Sequence, residues 1–298
     1  HVTPSSKALD IKSKVSFRST GVYALPGKTM TVSRTDNSDV EVSVFINTQR
    51  SASTHEFDGN GYNRPKYLQS VAVPIAAGET IKLNSPYGGP VQLKFSVNDK
   101  AVAVTFDNIG QHPHWAGAAD DESFAQKMAA EDFDWAEIVT PNFEIHSQLA
   151  KMKTSLSNEH FPNAAAIAAG TELYIQNYPH VLAGFQGPGI DVVAEIHDFA
   201  RDKGWSIDNL DIVKHMNADQ PTCGAGCSGN PYDAGWHFTP TGHGDIHELG
   251  HGLEKGRFRF AGWDGHASTN PYSYYSKTQF HQLTNTDVSC QSLPSQDM

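Results

Sequence analysis

The chain has 298 residues, of which 18% are charged, and its formal net charge at pH 7 is −11. This length suffices for one large domain or two ordinary ones, each with a core of normal size. Because an acidic surface repels phosphate backbones, we expect no nucleic-acid partner. No apolar run reaches the length of a membrane span, so we also expect no membrane insertion.

The chain begins with HVTPSSKALD, without an initiator Met or a signal peptide. This start predicts a mature form or a piece of a longer protein. The plentiful Gly, Asn, Ser and Thr are typical of secreted bacterial proteins, and we expect a secreted monomer. Of the three cysteines, Cys223 and Cys227 are close enough in sequence to form a disulfide, which would indicate an oxidising compartment. A short loop can equally hold two reduced thiols, so both states stay open.

Residues 1–110 predict a β-sandwich-like domain. Short β-type runs such as GVYAL, TMTVSR, VEVSVFI and AVAVTF alternate with turn residues. Apolar residues at every second position, as at Met30 and Val32, suit strands with one buried face. Two layers of such strands would bury a shared core.

Residues 111–298 predict a mixed catalytic domain. DESFAQKMAAEDF carries acidic residues at its start, as helix N-termini prefer. WAEIVTP and DIVKHM are predicted as strands, whereas FEIHSQLAKMKTSL and NAAAIAAGTELYIQNYPHVLAGF are predicted as helices. The whole chain is therefore expected to be α+β, with the β domain first.

The stretch HELGH, from His247 to His251, has the HExxH pattern. On a helix, His247 and His251 lie on one face one turn apart, so both imidazoles can bind one metal ion. Glu248 then faces a metal-bound water and can act as the general base. A five-residue match does occur by chance, but Gly250 is a poor helix former, and close packing or approach to a ligand is a more natural reason for it. We therefore predict a zinc hydrolase.

The candidates for the third zinc ligand are reduced by elimination. Metzincins continue HExxHxxGxxH, but Glu254 and Arg257 stand where that pattern needs Gly and His. Thermolysin-like enzymes take a later Glu, and Glu254 is the only Glu after the motif, too far along the helix to join the two histidines. The remaining candidates are the following: Asp264, His266, His281, Asp287 and Asp297. We favour His266 over Asp264, because a Gly-rich turn followed by capping residues can return it to the metal.

A family resemblance rests on four segments in order: GVYALPGKTMTV, NSPYGGPVQLKF, the HELGH helix and STNPYSYYS. Together they resemble the enhancin-type, M-sixty-like zinc peptidases of bacteria, and more closely the secreted immunomodulating metalloprotease type. The resemblance implies a gluzincin-like core that cleaves mucin-type O-glycosylated proteins next to glycan-bearing Ser or Thr. It assigns the zinc ligands to His247 and His251 and the base to Glu248. Where that pattern has a ligand Glu, this chain has GHASTNP, so His266 is predicted to replace it.

Supporting roles are assigned to aromatic side chains. Trp236, in DAGWHFTP, is predicted to stack on a sugar ring, with core packing as the alternative. One phenol among Tyr272, Tyr274 and Tyr275 could stabilise the oxyanion, although most are expected to pack or face solvent. His112 and His114 flank Pro113 and are metal-compatible, but a packed loop is the preferred interpretation. A zinc protease indifferent to glycans and a carbohydrate-binding module remain the alternative functions.

Overall fold

The computed structural model describes residues 2–47, 69–217, 222–223, 237–253, 261–262 and 267–286. No helix within these ranges combines the length and apolar character needed to cross a membrane.

The first part of the chain is a two-layer β-sandwich. One sheet has the strand order β1-β8-β3-β6 and the other β2-β7-β4-β5. Alternating burial along each strand explains why the two sheets form layers. In β3, Met30 and Val32 are fully buried, whereas Thr31 and Ser33 are not. The β-sandwich prediction is confirmed. Its strands are β1 Ser5–Lys12, β2 Ser16–Ala24, β3 Thr29–Arg34, β4 Val42–Ile46, β5 Val73–Pro74, β6 Thr80–Asn84, β7 Gly89–Phe95 and β8 Ala101–Ile109.

An ion pair between buried Arg34 and half-buried Asp36 holds the loop after β3. Arg34 binds Asp36 through two parallel hydrogen bonds of 3.0 Å, from Nε to Oδ1 and from Nη2 to Oδ2. Asp36 also accepts hydrogen bonds from the backbone of Ser38 and Ala103, which ties the loop to β8. Burial raises the pKa of Asp36, but the hydrogen bonds from Arg34, Ser38 and Ala103 outweigh it and hold this pKa well below its usual value.

The second part of the chain is a five-stranded mixed sheet covered by helices, in the order β15-β14-β11-β10-β9. The strands are β9 His114–Trp115, β10 Trp135–Val139, β11 Phe143–Gln148, β14 Lys214–Asn217 and β15 Thr222–Cys223, and a separate pair is β12 Phe185–Gln186 with β13 Asp208–Asn209. The helices are α1 Asp121–Ala130, α2 Leu149–Leu156, α3 Ala164–Gly170, α4 Tyr178–Leu182, α5 Ala194–Asp202, α6 His243–His251 and α7 Asn270–Thr284. Single turns of 3-10 helix at Ala118–Asp120 and Ala267–Thr269 precede α1 and α7.

Most of the elements predicted in this part agree with the structure, and one does not. A π-helix at Thr171–Asn177 joins α3 to α4, so the predicted helical stretch is continuous from Ala164 to Leu182. Phe143–Gln148, predicted as the start of a helix, is strand β11. It lies between β10 and β14 with both faces covered, and its first five residues are buried. This burial on both faces is decided by tertiary contacts, which override local helix preference.

A polar cluster lies between the sandwich and the mixed sheet. Its centre is Glu137 of β10, fully buried, which accepts hydrogen bonds from His112 Nε2 at 2.8 Å and His146 Nδ1 at 2.6 Å. Burial alone would raise the pKa of Glu137, but these two histidines hold it well below its usual value. Glu144 of β11 is equally buried, and desolvation raises its pKa to about 7 despite the nearby Arg18.

Candidate metal centre

Helix α6 has one face buried in the core and one face that is only half-buried. Ile246 and Leu249 are fully buried in the core of the second domain. The helix begins after Gly242, and the carboxylate of Asp245 accepts a hydrogen bond of 3.1 Å from the backbone N–H of Thr239. This contact fixes the chain that enters the helix. The opposite face, which carries His247 and His251, is half-buried.

The two histidines converge at their outer nitrogens. His247 Nε2 and His251 Nε2 lie 3.1 Å apart, and their rings are nearly perpendicular. Two donor atoms on a tetrahedral ion with bonds of 2.0–2.1 Å are separated by about 3.3 Å, so this spacing fits a single metal ion. Glu248 offers a carboxylate oxygen within 4.8 Å of these nitrogens and is only 4% exposed. The predicted grouping of His247, Glu248 and His251 is present.

Helix α7 and the 3-10 turn before it pack against helix α6. Thr269 Oγ1 lies 2.5 Å from His247 Nδ1, and Ser273 Oγ lies 2.9 Å from His243 Nδ1. A Cβ atom at Gly250 would stand 2.9 Å from Tyr272 Cδ2 and 3.0 Å from Thr269 Cβ. Glycine at position 250 therefore lets the two helices approach closely, which is the packing role predicted for it.

The sequence predicts no role at the metal centre for Thr269 or His243. His243 is partly buried, which lowers its pKa, and the positive charge of Lys277 lowers it further. It therefore acts as a neutral hydrogen-bonding partner of Ser273. The STN segment is predicted from the sequence only to cap a helix and to carry the family resemblance, and its contact with the motif cannot be read from spacing, because Thr269 is 22 residues from His247.

Several predicted site residues lie outside the described residues: His266, Asp264 and Trp236, together with Asp287 and Asp297. His281, another candidate ligand, is exposed, and its Nδ1 lies 2.9 Å from the carbonyl oxygen of Thr286. It lies twelve residues beyond Thr269, which is about 18 Å along helix α7. His281 is therefore remote from His247.

The remaining predicted side chains pack against, or form hydrogen bonds with, other parts of the fold. Tyr272 is buried between α6 and α7, with its hydroxyl 3.5 Å from the carbonyl of Leu253. Tyr275 packs edge-on against Tyr178. His112 is fully buried and binds Glu137, whereas His114 begins strand β9, so the predicted loop ends before His114.

The comparisons with known proteins agree with this architecture. Residues 7–107 match the N-terminal domain of M60-like peptidases. The immunomodulating metalloprotease of Pseudomonas aeruginosa is 32% identical over 269 residues, which cover 85% of this chain and 29% of that protein. The resemblance found in the sequence is thereby confirmed.

Solved structures extend the likeness to nearly the whole chain. The structure of IMPa from Pseudomonas aeruginosa in complex with an O-glycopeptide superposes with a TM-score of 0.76 at 27% identity and covers 96% of this chain and 34% of that one. The M60 catalytic domain of ZmpC from Clostridium perfringens, in complex with the sialyl T antigen, has a TM-score of 0.56 at 12% identity, covering 87% and 52% of the two chains, and shows the fold alone. The α+β fold class is confirmed. The chain spans about a third of the length of the first relatives it matches.

Proposed function

We propose that the protein is a zinc endopeptidase that hydrolyses peptide bonds in mucin-type O-glycosylated proteins, next to Ser or Thr residues carrying glycans. The observation that carries the proposal is the geometry of helix α6. Two imidazole nitrogens 3.1 Å apart stand beside a buried carboxylate on the same helix. Two His ligands with an adjacent Glu are the residue set that zinc hydrolases use.

The metal would be held by His247 Nε2, His251 Nε2 and a third side chain. His266 is our proposed third ligand, ahead of Asp264. Thr269 lies against His247, and His266 is three residues before it, so the connecting chain spans at most about 10 Å. Asp264 lies five residues before Thr269, so the contact between Thr269 and His247 leaves Asp264 within reach of the metal as well.

When bound, Zn²⁺ lowers the pKa of a coordinated water to about 7 and polarises the scissile carbonyl. Glu248 takes the proton of the attacking water and delivers it to the departing amine. Glu248 is only 4% exposed, so the packing around it restricts the movement of its carboxylate. Thr269 accepts the Nδ1–H of His247, which leaves Nε2 of the same ring with its lone pair toward the metal.

The proposed substrate class rests on the relatives. IMPa from Pseudomonas aeruginosa is described in complex with an O-glycopeptide, and IMPa metallopeptidase with T-antigen. We extend this preference to the present chain, with Trp236 stacking on a sugar ring of the substrate. We further propose that the protein is secreted and acts as a monomer.

The test is cleavage of a mucin-type glycopeptide compared with the same peptide after its glycans have been removed. We expect hydrolysis of the glycopeptide only, and no hydrolysis by a Glu248→Ala control. Equal cleavage of both peptides would replace the proposal by a zinc protease without glycan requirement. Glycopeptide binding without cleavage of either peptide by zinc-loaded protein would instead favour a carbohydrate-binding module.

A further inference from the structure

A second group of metal-compatible side chains lies beneath the sandwich, apart from helix α6. Glu144 and His146 are two residues apart on β11 and therefore share a face of the sheet. His215, on the neighbouring parallel strand β14, is the register partner of Glu144. All three side chains are fully buried. Strand β2 covers them, with the Phe17 ring stacked on His215 at a centroid distance of 3.5 Å.

Three donor atoms of this group converge on one point. His146 Nε2 and His215 Nδ1 are 2.9 Å apart, and Glu144 Oε2 is 3.5 Å from each of them. Donor atoms around a tetrahedral zinc ion, with bonds of 2.0–2.1 Å, are separated by about 3.3 Å. The three observed separations lie on both sides of this value, so small adjustments of the side chains would bring all three atoms onto one ion.

Outer contacts hold each ligand in this orientation. The carboxylate of Glu137 binds His146 Nδ1 at 2.6 Å, which directs the lone pair of Nε2 toward the convergence point. Arg18 Nη1 donates a hydrogen bond of 3.2 Å to Glu144 Oε1, the carboxylate oxygen other than the one nearest the two histidines. Ser16 Oγ lies 3.4 Å from His215 Nε2, the ring nitrogen opposite the proposed metal-binding atom. A carboxylate behind a ligating histidine is the usual outer arrangement of protein metal sites.

A hydrogen-bonded histidine pair is the alternative account of the cluster. In that arrangement His215 Nδ1–H donates to His146 Nε2, and both imidazoles are satisfied without an ion. In that arrangement Glu144 Oε2 accepts a hydrogen bond of 3.1 Å from the backbone N–H of Ser19 but stands 3.5 Å from both histidines, beyond the usual length of a hydrogen bond. A cation at the convergence point accounts for the approach of this oxygen to both ring nitrogens.

We propose that Glu144, His146 and His215 bind a second, structural divalent metal ion. Two imidazoles and one carboxylate form a donor set that suits Zn²⁺. The ion would join β11 to β14, whose ligands are 69 residues apart in the chain, directly under the interface with the sandwich. It would contribute to folding, because the site is fully buried and the ligands come together only in the folded protein. This proposal does not depend on the peptidase function.

The experiment counts metal in the full chain after its first site has been emptied. A His247→Ala/His251→Ala variant is loaded with zinc chloride, dialysed and analysed for bound zinc. We expect about one equivalent per chain to remain, and about none after His215→Ala is added. His197→Ala is the matched control, because His197 is a buried histidine on α5 that binds the backbone of Val193 and Phe185. It should leave the metal content unchanged.

One further variant and one further measurement keep the test decisive. If the His215→Ala protein does not fold, Glu144→Gln preserves the side-chain shape and should still lower the zinc content well below one equivalent. In the His247→Ala/His251→Ala background, a chelator should lower the melting temperature, and this shift should vanish when Glu144→Gln is added. The proposal would be overturned if the His247→Ala/His251→Ala protein folds but holds no zinc. It would also be overturned if the bound zinc survives both Glu144→Gln and His215→Ala.

Discussion

The hydroxyl of Thr269 lies 2.5 Å from Nδ1 of His247, on the side of the ring opposite the nitrogen that faces His251. Thr269 is fully buried at the start of helix α7, so its position is fixed by packing. A neutral imidazole that binds a metal through Nε2 carries its proton on Nδ1 and can donate it to this hydroxyl. Thr269 is therefore placed to set both the ring orientation and the tautomer of His247, the proposed metal ligand.

Replacing Thr269 by Val should weaken metal binding by roughly 10–100-fold, because the isosteric side chain cannot accept the Nδ1–H bond. Competition with a chelator of known zinc affinity measures the change. Thr269→Ser should retain most of the affinity because it keeps the hydroxyl. Thr154→Val, on the exposed surface of helix α2, is the matched control. An unchanged zinc affinity in Thr269→Val would show that the hydroxyl does not position His247.

Replacing Glu248 by Ala should leave zinc content near that of the wild type and reduce hydrolysis by roughly 10²–10⁴-fold, since the proton carrier is lost while both histidines stay. Zinc analysis and turnover of a glycopeptide check the two halves of this expectation. Glu195→Ala, an exposed glutamate in the first turn of α5, should cleave normally. Hydrolysis at the wild-type rate by Glu248→Ala would remove Glu248 from the mechanism.

Replacing Gly250 by Ala should destabilise the protein by about 1–3 kcal/mol, although alanine is the better helix former. The added Cβ would meet Tyr272 and Thr269 at 2.9 and 3.0 Å, so α6 and α7 must separate. Thermal or urea unfolding measures the cost. The same substitution in a Tyr272→Ala background should cost less, because one of the two clashes is gone. A higher melting temperature in Gly250→Ala would contradict the close approach of the helices.

Replacing Asp36 by Asn should lower the unfolding free energy at pH 7 by about 1–3 kcal/mol, because the buried guanidinium of Arg34 loses its charged partner. The folded pKa of Asp36 is depressed, so its contribution is complete above the unfolded pKa of about 3.9 and is lost as pH falls toward the folded pKa. The difference between wild type and Asp36→Asn should therefore shrink below about pH 4. Urea unfolding at pH 7, 5 and 3 tests this. Asp39→Asn, an exposed acid in the same loop, controls for net charge. A difference that stays constant over this range would contradict the assigned ion pair.

Local patterns were sufficient for much of the fold. Alternating apolar residues, as in β3, predict the sandwich strands, because a strand with one buried face has a period of two. Helix α1 follows its acidic start at Asp121 and Glu122. Strand β11 was wrongly predicted as helix, because its polar residues Glu144 and His146 are buried against another domain, and no local pattern carries that information.

The sequence by itself determined which residues share the proposed metal-binding face of helix α6. A spacing of four residues places His247 and His251 one helical turn apart whatever surrounds them, and Glu248 follows from the same geometry. Only the tertiary structure decided that Thr269 orients His247 and that His215 meets Glu144 and His146. These partners are 22 and about 70 residues apart, and their contacts arise from helix packing and strand pairing, which sequence spacing does not specify.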